Sequence, residues 1–221
     1  MGRLYVFEGI DGCGKTTQFH LLCKALEKAG IEYRTLDYPR YGKPSCTLVE
    51  QYLRGDFGKK PGDVNAYTAS AFFAVDRAAS FLEDWGEYYK SGGLLIANRY
   101  TTSNVLHQGA KMPQEEQLPF FKWLYEFEFS QLGLPKPDAV FYLDVPLEVS
   151  VRQMRRREQL KNTKADIHEQ DNTYLAACRA CGETAVEHLG WHRVACTRDG
   201  VMMPPEEIHR EVLREVLARQ K

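Results

Sequence analysis

Residues 9–16 read GIDGCGKT and match the phosphate-binding pattern G-x-x-x-x-G-K-[ST] in full. The preceding residues 3–8, RLYVFE, are rich in β-formers and predict a short buried strand. After the loop, Phe19, Leu22 and Leu26 recur at helical spacing up to Gly30, which predicts a helix and its C-cap. This order of elements predicts phosphate binding, because the N–H groups of the loop and the helix dipole attract phosphate.

The chemistry of such a loop assigns roles to individual side chains. Lys15 is expected to reach the terminal phosphates of a nucleotide, and the Thr16 hydroxyl is expected to bind Mg²⁺. The residues expected to contact the nucleotide are Gly9, Ile10, Asp11, Gly12, Cys13, Gly14, Lys15, Thr16 and Thr17. The loop therefore predicts a nucleotide-binding protein with Mg²⁺ as its cofactor.

Length and charge narrow the class of protein. A chain of 221 residues suits one large domain, predicted here to span residues 1–221. The 29 Lys and Arg nearly balance the 30 Asp and Glu, so we expect neither a nucleic-acid polymer nor a membrane as a partner. Neither a signal-peptide pattern nor a membrane-length apolar run is present, and the six cysteines are scattered. These features predict a cytoplasmic protein with reduced thiols.

Cysteine spacing raises one alternative, a zinc site. Cys178-x-x-Cys181 is followed by His188, His192 and Cys196. The interval from the second cysteine to the first histidine is shorter than a zinc finger needs, and the cysteine pair lies in a segment of helical period. We therefore expect two small apolar residues on a helix.

Apolar segments that predict strands alternate with segments of helical period. The strands are predicted at residues 4–7, 32–36, 94–97, 139–143 and 191–196. The helices are predicted at residues 16–29, 45–53, 66–89, 114–132, 147–158, 171–189 and 205–218. This alternation predicts an α/β protein with a parallel sheet covered on both faces. Ligands of such sheets bind at the carboxyl ends of the strands.

Two groups of side chains could bind a phosphorylated nucleoside beside this loop. Phe73 and Arg77 are four residues apart on a predicted helix, where a ring and a guanidinium could stack on a base and hydrogen-bond its edge. Arg99 and Arg40 each follow a predicted strand, and two arginine forks at one point suit a phosphate monoester. The alternatives are a core phenylalanine for Phe73 and solvated surface side chains for the two strand-end arginines.

A run of cations follows the fourth predicted strand and its helix: Arg152, Arg155, Arg156, Arg157, Lys161 and Lys164. Such a run is ordinarily a solvated face. Here it enters a polar insertion at about residues 155–170, where cations on a closing lid would neutralise charge on a transferred phosphoryl group.

Together these motifs resemble the thymidylate kinase family, and the resemblance runs from the loop to the last strand and helix. It implies a P-loop NTPase-type three-layer fold, with a five-stranded parallel sheet flanked by helices on both faces, and a homodimer. It also implies transfer of the γ-phosphoryl group of ATP to dTMP, with Mg²⁺, giving dTDP and ADP in dTTP biosynthesis.

The resemblance also implies roles for individual residues. Asp11 would accept the sugar 3′-hydroxyl, Phe73 would stack on thymine, and Arg77 would hydrogen-bond its edge. The implied substrate-binding residues are Asp11, Arg40, Phe73, Arg77, Arg99, Ser103, Asn104 and His107. The implied catalytic residues are Lys15, Arg99, Arg155, Arg156 and Arg157. The other histidines, His168 among them, are expected to be ordinary helix or loop residues.

Three positions depart from the family pattern. Gly12 replaces the loop arginine that some members carry, so a lid cation is expected to take its place. Asn98 replaces the usual aspartate before the strand-end arginine, and an amide is a poorer partner for Mg²⁺ and its waters. His107 replaces a tyrosine that crowds the sugar 2′ position, which puts discrimination against ribonucleotides in question.

Two other functions remain open from the sequence. Another P-loop nucleoside or nucleoside monophosphate kinase would share the loop and lid. A nucleoside acceptor would need a general base for its hydroxyl, so Arg40 and Arg99 argue against that substrate. A non-catalytic nucleotide-dependent switch would leave the Phe73 and Arg77 pair without a role.

Overall fold

The computed structural model describes residues 1–161, 168 and 171–219, except for the side chains of residues 157, 158, 160 and 161. Its sheet is built from β1 (Arg3–Glu8), β2 (Arg34–Asp37), β3 (Leu94–Asn98), β4 (Ala139–Asp144) and β5 (His192–Ala195). These strands are all parallel and lie in the order β2-β3-β1-β4-β5. The predicted α/β fold with a five-stranded parallel sheet is confirmed.

Helices cover both faces of the sheet. They are α1 (Lys15–Lys28), α2 (Thr47–Leu53), α3 (Ala66–Ser80), α4 (Gly86–Lys90), α5 (Thr101–Gly109), α6 (Gln114–Tyr125), α7 (Leu147–Lys161), α8 (Asn172–Leu189) and α9 (Pro205–Ala218). Among the described residues, no helix combines the length and the apolar composition that crossing a bilayer requires.

The core forms two apolar layers because side chains of the central strand alternate between the faces of the sheet. Tyr5 and Phe7 pack with α1 and α9 on one face, and Leu4 and Val6 pack with α5 and α6 on the other. All four side chains are fully buried. Central strand β1 is thus fixed from both sides, and the loop that follows it starts from a rigid base.

The structure departs from the sequence prediction at several elements, and one is the helix predicted over residues 114–132, which ends at Tyr125 and continues as a π-helical segment at Glu126–Gln131. Helix α5 was not predicted, because its buried face includes polar residues such as Thr101, Thr102 and Asn104, which hide the apolar period. The single helix predicted over residues 66–89 is interrupted by a π-helical segment at Phe81–Trp85. After β5, β6 (Thr197–Arg198) and β7 (Val201–Met202) form a short antiparallel hairpin.

The cysteine pair lies on a helix, as its spacing predicted. Cys178 and Cys181 lie fully buried on α8, and all six cysteines are unpaired thiols. Over the described part of the chain, no group of three or more His, Cys, Asp and Glu is placed to hold a metal ion.

Candidate active site

A cavity of about 450 Å³ opens at the carboxyl ends of β1, β2 and β3, where parallel sheets bind ligands. Its wall combines the loop after β1 with residues that follow β2 and β3, and Phe73 and Gln108 contribute from α3 and α5. The volume lies within the range of small-molecule sites. One cavity therefore joins a phosphate-binding loop to an aromatic wall.

The loop turns so sharply that two of its glycines have no substitute. Gly14 caps the start of α1 with a φ of 97°, in the left-handed region that favours glycine. Gly12 has a φ of 80°, and a Cβ there would lie 2.4 Å from the carbonyl oxygen of Ser150. Helix α7 therefore packs directly on the loop, and a side chain at position 12 would push the two apart.

Of the nine residues predicted to contact the nucleotide, six line the cavity and Gly9, Ile10 and Cys13 do not. Those that line the cavity are Asp11, Gly12, Gly14, Lys15, Thr16 and Thr17. The side chains of Ile10 and Cys13 are instead buried in the core, so these two residues can offer a ligand only backbone groups. The Lys15 ammonium donates to the carbonyl oxygens of Gly9 and Ile10, at 2.8 and 3.0 Å. Its charge is thereby held beside the N-terminus of α1.

Arg99 connects the loop to the end of β3. Its φ of 70° lies in the left-handed region, which non-glycine residues rarely adopt and which is typical of functional sites. Its guanidinium forms an ion pair with the carboxylate of Asp11. Burial raises the pKa of Asp11, but Arg99 and Lys15 outweigh burial and hold this pKa well below its usual range. Asp11 is therefore ionised at neutral pH and fixes Arg99 at the cavity wall.

Arg40 and Arg99 line different cavities, and that both bind the acceptor phosphate stays a prediction. Arg40 Nε donates to Asp76 at 3.1 Å, and its Nη1 donates to Asp84 at 2.9 Å. Arg40 lines a second cavity of about 270 Å³, beside Trp85, and not the main cavity. Arg40 points away from the main cavity because carboxylates on α3 and just after it bind its guanidinium.

Arg77 is also bound within the protein, and its contact with the edge of a base stays a prediction. Its Nε and Nη2 donate to the two carboxylate oxygens of Glu128, at 2.7 and 2.5 Å. Both side chains are almost completely buried, and Arg77 does not line the main cavity, whereas Phe73 does. Glu128 also accepts a hydrogen bond from Thr101 at 2.7 Å. Arg77 and Glu128 therefore link α3 to the segment after α6, and Thr101 links α5 to the same carboxylate.

Gln108 was missed by the sequence analysis. It is fully buried on α5 and lines the cavity, and neither of its amide atoms has a hydrogen-bond partner among the described residues. Its predicted neighbours line the same wall but are engaged, since Ser103 donates to Glu8 at 2.8 Å and Asn104 donates to Glu128 at 3.3 Å. A buried amide without partners is costly, so this one is expected where a ligand supplies them.

Two histidines stack in the cavity wall. The rings of His107 and His168 have centroids 5.2 Å apart and an interplanar angle of 12°. Arg99 Nη1 lies 3.2 Å from Nε2 of His107, and because a guanidinium only donates, this nitrogen accepts and the ring is neutral. The Tyr52 hydroxyl lies 2.8 Å from Nε2 of His168. His168, expected to be an ordinary loop residue, therefore belongs to the candidate site.

The predicted lid insertion at about residues 155–170 lies largely outside the described residues. Within it, α7 extends to Lys161 and carries Arg155 and Arg156 with exposed side chains. The side chain of Arg157 is outside the described set. Gln153 on the same helix lines the cavity, so α7 brings the start of this basic run to the edge of the site.

Oxygen donors near the loop suit Mg²⁺. The Thr16 side chain is exposed to the cavity, and Asp37, the last residue of β2, lines the same wall. Hydroxyl and carboxylate oxygens, water and phosphate are the ligands that this ion takes. The donors present therefore fit a magnesium ion carried largely by nucleotide phosphates and water.

The neutral state of His107 predicts a pH-dependent stability. Burial, with Arg99 adding to it, lowers the pKa of His107 to about 3, against an ordinary value of 6.5 in the unfolded chain. Because the unfolded chain then binds the proton more tightly, this contribution to stability is present above pH 6.5 and is lost as the pH falls toward 3. Between pH 7.5 and pH 5, we expect the free energy of unfolding to fall by roughly 2 kcal/mol more in the wild type than in His107→Gln.

Urea denaturation of the wild type and His107→Gln at both pH values measures this difference, since the carboxylates common to both proteins cancel. His20→Gln is the matched control, because His20 is an exposed histidine on α1. Parallel losses of stability in wild type and His107→Gln would contradict the neutral buried state.

Comparison with known proteins agrees with this geometry. Residues 7–198 match the family model described as thymidylate kinase. The thymidylate kinase of Mycobacterium tuberculosis is 32% identical over 170 residues, which cover 76% of this chain and 78% of that protein. The thymidylate kinase of Fervidobacterium nodosum is 30% identical over 210 residues, 94% of this chain and 95% of that protein.

A solved structure supports the fold independently of sequence. The thymidylate kinase of Candida albicans superposes with a TM-score of 0.71 and covers 99% of this chain and 92% of its own, at 18% identity. The match to the family model extends from β1 to the hairpin after β5, and so includes the loop, Arg99 and α5. The chain belongs to the thymidylate kinase family.

Proposed function

We propose that this enzyme binds ATP at the loop of residues 9–17 and dTMP in the part of the cavity walled by Phe73 and Gln108. As a thymidylate kinase it transfers the γ-phosphoryl group of ATP to dTMP, giving dTDP and ADP for dTTP synthesis. One observation carries the assignment of the two substrates. The loop, Arg99 and an unsatisfied buried amide all face the same cavity.

Catalysis on this proposal rests on position and charge. The acceptor phosphate of dTMP is already anionic, so the reaction needs no general base. Arg99 would hold this phosphate, since a guanidinium can donate to two of its oxygens at once. Asp11 orients Arg99 through their ion pair and is proposed to accept the sugar 3′-hydroxyl. Lys15, at the N-terminus of α1, would then bind the terminal phosphates of ATP.

We propose that Mg²⁺ binds with ATP and that Thr16 supplies the hydroxyl ligand from the loop. When bound, this ion would offset the negative charge that develops on the phosphate groups. Thr16 would hold the ion beside the loop, and Lys15 would contribute a second positive charge from the protein.

We propose a single catalytic domain, with residues 155–170 as its lid and Arg155, Arg156 and Arg157 as the source of the cation that the loop lacks. The contact between Gly12 and α7 supports this assignment, because no arginine fits at position 12. Helix α7 starts beside the loop and carries the basic run outward from it. The lid would bring positive charge to the phosphoryl group as it closes.

The base is proposed to stack on Phe73 and to hydrogen-bond Gln108. A glutamine amide has one donor group and one acceptor, which match the adjacent carbonyl and N–H of a thymine edge. Ser103 and Asn104 would shape the wall from the same helix, and His107 and His168 would face the sugar. These stacked rings take the place of the single tyrosine expected beside the 2′ position.

The base assignment predicts a change in KM for dTMP. Phe73→Ala and Gln108→Leu should each raise this KM, because stacking and hydrogen bonding act in the ground state and the transition state alike; a loss of about 1–3 kcal/mol is expected. A coupled ADP-release assay with dTMP, dUMP, dCMP, UMP and thymidine measures the loss and the acceptor preference together.

Gln117→Leu is the matched control, because Gln117 is a buried glutamine that does not line the cavity. An unchanged KM in Phe73→Ala or Gln108→Leu, or a loss of kcat alone, would refute the placement of the base.

The lid assignment predicts a loss of turnover. Replacing Arg155, Arg156 and Arg157 together by alanine should lower kcat about a hundredfold or more and leave dTMP affinity nearly unchanged, because these charges act on the developing transition state. Arg152→Ala is the matched control, since Arg152 is exposed on the same helix and donates to the carbonyl of Gly200 at 3.2 Å. Wild-type turnover in the triple variant would show that these three arginines are solvated surface residues without a role in catalysis.

A homodimer is proposed from the surface of α3 and α6. Tyr67 on α3 and Leu118 on α6 are large apolar residues with 45% and 41% of their surface exposed. The ring of Tyr67 packs on Trp123 of α6, with centroids 4.6 Å apart, so the two helices present one apolar surface. Exposed apolar surface of this kind is typical of interfaces.

Sedimentation velocity tests the dimer. The wild type should sediment as a dimer and Leu118→Asp as a monomer, because a buried carboxylate at the interface would be costly. Leu82→Asp, at an apolar residue with 83% exposure outside α3 and α6, should remain dimeric. A monomeric wild type would overturn the proposal.

A cytoplasmic location is proposed from the thiols. All six cysteines are unpaired and buried, as expected of a protein from a reducing compartment. Cell fractionation followed by immunoblotting would contradict this location if the protein were found outside the cytoplasm.

A further inference from the structure

Asp37 and Asn98 form a pair at the ends of two neighbouring strands. They are aligned in the parallel register of β2 and β3, and the Asn98 amide donates to the Asp37 carboxylate at 2.9 Å. Both residues line the main cavity, together with Thr16 and Thr17 of the loop. The pair is therefore a carboxylate and an amide at the edge of the proposed phosphate site.

The pair carries a single negative charge, because one member is a carboxylate and the other is a neutral amide. Two carboxylates at such a distance could not both ionise readily, because like charges raise the pKa of one of them. With an amide at position 98, the carboxylate at position 37 stays a single charge and gains a donor that fixes its direction. An aspartate is expected at position 98 from the family pattern, so in this chain the carboxylate stands one strand further out.

Among the carboxylates of this wall, Asp37 is the one left to meet a cation. Asp11 is neutralised by Arg99 and lies 3.8 Å from Lys15. No lysine or arginine of the described residues forms an ion pair with the Asp37 carboxylate; burial raises the pKa of Asp37, while the hydrogen bond from Asn98 and the charge of Arg99 act in the opposite direction. Its hydrogen bond from Asn98 is neutral, so its full negative charge faces the cavity.

We propose that Asp37 is the carboxylate that supports the Mg²⁺ of the bound nucleotide, through a water of the ion, and that Asn98 is the residue that positions it. This inference rests on the proposed function for the identity of the ion. Mg²⁺ keeps several waters in nucleotide sites and is held by one or two carboxylates besides phosphate oxygens. Thr16 supplies a hydroxyl from β1's loop, and Asp37 supplies the charge from β2.

Binding of Mn²⁺ to the complex of enzyme and ADP, followed by electron paramagnetic resonance, tests the pair without turnover. Asp37→Asn should weaken Mn²⁺ binding about 10-fold or more, as loss of an outer ligand partner does. The exchanged variant Asp37→Asn with Asn98→Asp should recover most of this affinity, because it restores one carboxylate and one amide. Asp56→Asn is the charge-matched control, since Asp56 is an exposed carboxylate outside the cavity.

Two further measurements separate the ways in which the inference can fail. ADP affinity in the presence of a chelator should be unchanged in Asp37→Asn; an equal loss there would mean that Asp37 acts on the nucleotide or the fold and would overturn the inference. Thr16→Ala should also weaken Mn²⁺ binding. If Thr16→Ala weakens it and Asp37→Asn does not, Asp37 has no part in the metal site while the loop assignment stands. If neither does, the proposed Mg²⁺ site itself is wrong.

Discussion

The ion pair between Asp11 and Arg99 joins the two strand ends on which the site is built. Asp11 follows β1 and Arg99 follows β3, and these strands are neighbours in the sheet. The pair compensates two charges that are largely buried, and it holds Arg99 in a left-handed backbone conformation that would otherwise be unfavourable. The same guanidinium donates to His107 and adds to the effect of burial, which lowers the pKa of that ring. Arg99 thus links the loop after β1, the end of β3 and helix α5 through its contacts with Asp11 and His107.

Helix α7 adds a second constraint, because it packs on the loop from the other side. The Ser150 hydroxyl donates to the carbonyl oxygen of Asp11, and the Ser150 carbonyl occupies the space that a side chain at Gly12 would need. The first turns of α7 are therefore fixed to the loop, whereas its last turns carry exposed arginines. Because α7 lies this close to the loop, a long side chain does not fit at position 12, which is why the cation for the reaction is proposed to come from further along α7.

The sequence predicted those features that depend on residues close together in the chain. Strands β3 and β4 have continuous apolar cores, and the loop is a contiguous motif, so these elements were found in place. Helix α5 was missed because its buried positions include Thr101, Thr102 and Asn104. Arg40 and Arg77 were correctly placed on their elements, yet their partners Asp76 and Glu128 depend on packing that spacing along the chain does not reveal. His168 and Gln108 had no sequence signal, because their importance lies in what surrounds them.

The hydrogen bonds of buried polar groups distinguish framework from ligand contact within this one site. Glu128 accepts from Arg77, Thr101 and Asn104, so every group in that cluster is satisfied and the cluster holds α3 and α5 in register. Gln108 is as deeply buried on the same helix but has no partner for its donor or its acceptor among the described residues. A folded protein tolerates such a cost where binding removes it. The satisfied cluster therefore sets the shape of the pocket, and the unsatisfied amide is the group proposed to select the base.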